Sequence, residues 1–128
     1  MSDYKIEDMI GRVFVQVTGT VGGEAIKFIE DDGTKWIFYH EQDCCEHVEV
    51  VDITGDLQDL VGNPLLAARE DVGERIEVDE DIEYNRWTFY NFATIKGYVQ
   101  IRWLGSSNGY YSETVDLKVL EKGQKDVY

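Results

Sequence analysis

From Val13 onward the chain is written in short runs in which β-branched and aromatic residues recur at every second position, cut at close intervals by glycine-bearing turns. A period of two is the mark of a half-buried strand. Val13, Val15 and Val17 alternate with Phe14, Gln16 and Thr18 before Val21-Gly22-Gly23-Glu24 turns the chain into Ala25-Ile26-Lys27-Phe28-Ile29. Asp31-Asp32-Gly33-Thr34 is the next turn and leads into Lys35-Trp36-Ile37-Phe38-Tyr39, a β-rich run. Val48-Glu49-Val50-Val51-Asp52-Ile53 resumes the extended pattern, and residues 86–95 and 97–104 are the two strongest strand signals. Ser106-Ser107-Asn108-Gly109 reads as a hairpin turn, so residues 110–119 are expected to complete a three-stranded meander. Helical signals are confined to residues 3–10, stopped by Gly11, and residues 55–62, closed by Gly62 ahead of Asn63-Pro64. Leu65-Leu66-Ala67-Ala68 is read as strand because Pro64 and its short length oppose a long helix. The expected class is α+β, predominantly antiparallel β-sheet with one or two short helices. Trp36, Trp87 and Trp103 are expected in the core and in cross-strand packing.

A length of 128 residues with 43% hydrophobic content supports one core, so residues 1–128 are read as a single domain. No basic segment followed by an apolar stretch opens the sequence, and no run approaches the ~18 apolar residues of a membrane span. A soluble, cytoplasmic protein is the expectation. The formal net charge is −14, which disfavours direct binding to a phosphate backbone, because that affinity comes from Lys and Arg displacing counterions. It favours a basic partner, although acidity can also serve solubility alone. The run from Glu70 to Glu83 concentrates the charge around a single Arg75. It is expected to form a solvated loop or mobile excursion. As a finger docking on a positive groove, its partner-binding residues would be Glu74, Glu77, Asp79, Glu80, Asp81 and Glu83, joined by Asp56 and Asp59.

Both cysteines and both histidines fall within His40-Glu41-Gln42-Asp43-Cys44-Cys45-Glu46-His47. Four residues placed at random would share such a window on the order of once in a thousand sequences. Thiolates and neutral imidazoles are the preferred donors of a tetrahedral Zn²⁺ site. The candidate metal ligands are therefore His40, Cys44, Cys45 and His47, with Glu41, Asp43 or Glu46 able to replace one of them. The spacing matches no standard ribbon or finger. The alternative reading is a buried cysteine, a partly exposed one and two surface histidines. Adjacent Cα atoms lie near ~3.8 Å, closer than an unstrained disulfide prefers, so no bridge between Cys44 and Cys45 is expected. A loop held between two strand stems would suit a closed, structural zinc site.

Phosphate-loop, nucleophile-elbow, His-Glu-x-x-His and Rossmann patterns are absent from the sequence. His40-Glu41 lacks the spacing and the Pro-Cys-x-x-Cys of the zinc deaminases. Ser106, Ser107 and Ser112 have only His40 or His47 to act as base. A non-enzymatic protein is expected.

Several stretches resemble a family of small, functionally unannotated proteins of phages and prophages of Gram-positive bacteria. They are Tyr39-His40-Glu41-Gln42-Asp43-Cys44-Cys45-Glu46; residues 52–60 with Gly62-Asn63-Pro64; Trp87-Thr88-Phe89-Tyr90 with residues 93–97; and Ile101-Arg102-Trp103 with residues 107–113. The family pattern carries serine at the place of His47, which leaves His40, Cys44 and Cys45 as the better zinc ligands. A phage origin implies residence in the bacterial host cell and action against host immunity. In size, charge and expected zinc content the chain is similar to the anti-CRISPR proteins that inhibit Cas9, whose positive channels an acidic surface could occupy. The resemblance leaves open a sponge for nucleotide immune signals and a small zinc-dependent hydrolase.

Overall fold

The computed structural model describes residues 4–42, 45–79, 83–108 and 112–121. Nine strands dominate them: β1 (Phe14–Thr18), β2 (Ala25–Glu30), β3 (Lys35–Tyr39), β4 (His47–Thr54), β5 (Ala67–Val72), β6 (Ile76–Asp79), β7 (Glu83–Thr94), β8 (Gly97–Ser107) and β9 (Asp116–Leu120). The two helical signals become single 3-10 turns, Ile6–Met9 and Leu57–Leu60. Asp56 caps the second by accepting the Gln58 amide, as a short polar side chain at a helix start does.

The strands form two sheets, ordered β1-β2-β3-β9 and β4-β8-β7-β5, with β6 also on β7. Every paired strand is antiparallel, as the alternating pattern predicts. Alternation also fixes what faces inward. On β7, Thr88, Tyr90, Phe92 and Thr94 are buried while the residues between them are half-buried. Phe28 meets Phe92 with ring centroids 4.8 Å apart, and Phe38 meets Tyr90 at 4.7 Å, so the sheets pack face to face through an aromatic interior. The margins are stitched by backbone bonds. Val50 of β4 donates to Gly23 and accepts from Gly22 in the β1–β2 turn, while Leu65 exchanges bonds with Gly11 and Arg12.

Three expectations are corrected. The acidic stretch is not a loop: residues 67–72 and 76–79 are strands in register with β7, from Ala67 opposite Ala93 to Asp79 opposite Glu83. Nor do residues 110–119 complete a meander. Ser106 and Ser107 continue β8, and after residues 109–111, outside the described set, the chain crosses to the other sheet, where β9 pairs with β3. The crossing runs so close to β8 that a Cβ on Gly105 would collide with the Glu113 carbonyl. Finally, Trp36 and Trp103 are fully buried, but Trp87 is a half-buried residue of the outward face of β7. Its parity along the strand opposes that of Tyr90 and Phe92.

Candidate functional site

The His/Cys segment bridges β3 and β4, and its first histidine is used internally. His40 is buried, with Nδ1 2.7 Å from the Thr114 carbonyl and Nε2 2.9 Å from Glu46 Oε1. Both partners are oxygens, and Thr114 O can only accept, so Nδ1 carries a hydrogen. Nε2 either donates as imidazolium or accepts from a protonated Glu46. The side chains of the pair are 5% and 0% exposed, so this clasp closes the two ends of the segment in a dry environment. Gln42 Nε2 donates to the Glu46 carbonyl and the Glu41 amide to Asp116, fixing the stems further.

Alternation along β4 sends the next histidine the other way. His47 is exposed and pairs with Glu49 at 3.3 Å. It lines a shallow cleft of about 320 Å³ with Cys45, Glu83, Ser106, Ser107 and Asn108. Cys45 is disulfide-bonded, which overturns the expectation that no bridge forms. The only other cysteine of the chain is Cys44, which with Asp43 lies outside the described residues. Among the described candidate ligands, His40 has both nitrogens engaged, His47 is exposed on its own pair with Glu49, and the bridged sulfur of Cys45 offers no thiolate. Among the described residues no three His, Cys, Asp or Glu side chains converge on one point.

A second charged cluster had no signal in the sequence. Glu113, on the crossing between β8 and β9, has a fully buried carboxylate held by Arg75 through Nε at 2.9 Å and Nη2 at 2.8 Å. Arg86 Nε approaches to 3.5 Å, and the Ser107 hydroxyl donates to the same group. Burial pushes this carboxyl upward, but the bonds from Ser107, Arg75 and Arg86 outweigh it and hold it below its ordinary value. Arg86 also donates to the Gly73 carbonyl. The partners come from positions 6 to 38 residues away, which no local pattern reveals.

This cluster determines how the acidic stretch presents itself. Arg75 is the one cation between residues 70 and 83, and it is turned onto Glu113. Glu74, Glu77 and Glu83 remain exposed along the β6 side of the sheet. Glu70 accepts the Tyr90 hydroxyl; burial first, then Glu70, keep that phenol protonated far above its ordinary range. Asp71 pairs with Arg69 at 3.3 Å. Asp79 ends β6, while Glu80 and Asp81 fall outside the described residues. Asp56 and Asp59 do not join this edge. The Asp59 carbonyl accepts the Thr94 hydroxyl at the opposite end of β7 from Glu83, a strand length of roughly 35 Å away. No curated protein and no solved structure is significantly similar to the chain. Residues 7–117 match the domain of unknown function DUF7448, and the chain belongs to that family.

Proposed function

We propose that this chain is a non-catalytic binding module that engages a basic protein surface through the β5–β6 edge of its second sheet. The observation that carries this reading is the turn of Arg75 onto Glu113, which engages the one cation between residues 70 and 83 and leaves Glu74, Glu77 and Glu83 exposed. Glu77 opposite Tyr84 and Glu83 on β7 itself are held in the ladder, with Glu74 in the short β5–β6 connection, so a partner bears little cost of ordering a loop. Opposed charge then raises the rate of encounter and selects a basic partner.

The resemblance to phage proteins points to a Cas9-type effector as that partner, with the acidic edge entering a positive channel and excluding DNA. A Cas9 cleavage assay with titrated protein, run on several orthologues, is the direct test. Inhibition that weakens as salt rises supports the reading, since exposed charges are screened over about 8 Å at physiological ionic strength. Full cleavage at large excess against every orthologue removes the Cas9 assignment.

A further inference from the structure

The outward face of the second sheet differs in chemistry from the rest of this acidic chain. Alternation along β7 and β8 sends Trp87, Phe89, Tyr98, Gln100, Arg102 and Leu104 away from the interior. Trp87 and Phe89 stack with centroids 6.2 Å apart, the Arg102 guanidinium lies 5.8 Å from the Trp87 ring centre, and Tyr98 is half exposed. Near its centre most charges on this face are paired, with Glu49 on β4, opposite Leu104, the carboxylate in excess and Glu83 at the far end of β7. Arg102 pairs with Asp52 at 3.2 Å and Arg69 with Asp71 at 3.3 Å, so each guanidinium has its carboxylate on the same surface.

We propose that this face is an isologous interface between two copies of the chain. Three observations select a second copy as the occupant. The first is electrostatic: copies each carrying −14 repel over most of their surface, and a face whose two guanidiniums are each paired, leaving few carboxylates in excess, is where they can meet. The second is composition, because Trp87, Phe89 and Arg102 at the centre, with Tyr98 toward the β7–β8 turn and no lysine on the four strands, is the pattern of an interface core. The third is size. The four strands cover roughly 600 Å² in projection at ~3.4 Å per residue and ~4.8 Å between strands. Side-chain relief brings this near the ~800 Å² that each partner contributes to a stable complex. A nucleic acid would need net positive charge here, and a basic partner would find more carboxylate on the β5–β6 edge. The dimer stands independently of the proposed function.

Sedimentation analysis of the full chain over a roughly hundredfold range of concentration tests it. The expected result is a species of twice 14.7 kDa that tightens as salt rises, because salt screens the repulsion between copies. Leu104→Glu and Tyr98→Glu should each give the single-chain mass with an unchanged circular dichroism spectrum. Tyr98 is the more exposed of the two and keeps the test valid if Leu104→Glu unfolds. Lys27→Glu, on the other sheet, should leave the dimer intact. A parent that stays at the single-chain mass throughout, or a dimer that survives Tyr98→Glu, overturns the proposal.

Discussion

Glu113 and His40 are the residues on which the most depends. Both are buried polar groups tolerated only because each is fully hydrogen-bonded. For Glu113 the sign of the pH effect follows from its partners. Its carboxyl titrates below the ordinary 4.5 in the folded chain, so its stabilisation is complete above that value and is lost as pH falls through the lowered one. Glu113→Gln should therefore cost about 2–3 kcal/mol at neutral pH, since two charge-assisted partners lose their carboxylate. Denaturant titrations of parent and variant should converge as pH falls below the usual carboxylate range; a constant gap would mean that packing rather than charge is lost. His40 makes a different prediction. His40→Ala strands Glu46 in a dry site and should cost about 3–5 kcal/mol. Glu46→Gln should cost about 1 kcal/mol, because its amide can donate to a neutral Nε2. A chelator should leave the parent's melt unchanged if this clasp, rather than a metal, closes the segment. The sequence marked His40 as special through its clustering with the cysteines, yet the partner that defines it, the Thr114 carbonyl, lies 74 residues away.

At the scale of elements, the period-two pattern made β2, β4, β7 and β8 legible through alternating burial, whereas β1 and β3 are strands by their β-branched and aromatic composition. A bulge in β1 buries both Phe14 and Val17, and β3 buries Trp36, Ile37 and Phe38 in succession. β5 was legible only at Ala67-Ala68, and β6 not at all, for a physical reason. Their exposed residues run Arg69, Glu70, Asp71 and Val72, so little apolar burial marks them, and they are strands because β7 is long enough to template both. Backbone pairing, rather than side-chain burial, holds that edge. Glu74→Lys with Glu77→Lys should consequently leave the thermal melt within a few degrees of the parent, in line with surface changes of about 0.5 kcal/mol, while weakening capture of a basic partner. The two tryptophans paired in alternation with the core separate in the same way. Trp103→Ala, fully buried, should cost ~3–5 kcal/mol. Trp87→Ala should cost clearly less, because its ring packs on Phe89 and Arg102 at the surface. Equal losses in a denaturant titration would place Trp87 in the interior after all. The final crossing was misread because Asn108-Gly109 carries a strong turn signal, whereas the pairing of β9 with β3 depends on contacts more than 75 residues apart.

For the whole molecule, the dominant quantity is 26 acidic side chains against 12 Lys and Arg. Like charge at this density opposes compaction, and the fold offsets it with an aromatic interior, from Phe14 and Phe28 to Phe38, Tyr90 and Phe92, whose attraction salt does not screen. Added salt therefore has two opposite consequences. It shields the acids from one another and stabilises the folded chain, while it also shields them from a basic partner and weakens binding. Raising ionic strength from about 0.02 to about 0.3 M shortens the screening length severalfold and should raise Tm by about 2–4 °C, the shift that roughly 1 kcal/mol produces in a chain of this size. Over the same range partner affinity should fall. Thermal melts and binding titrations in matched buffers read both quantities. A Tm that falls with salt would mean that attractive pairs such as Arg12 with Glu30 and Arg102 with Asp52 outweigh the net repulsion, and that the charge is arranged for stability rather than held in reserve for a partner.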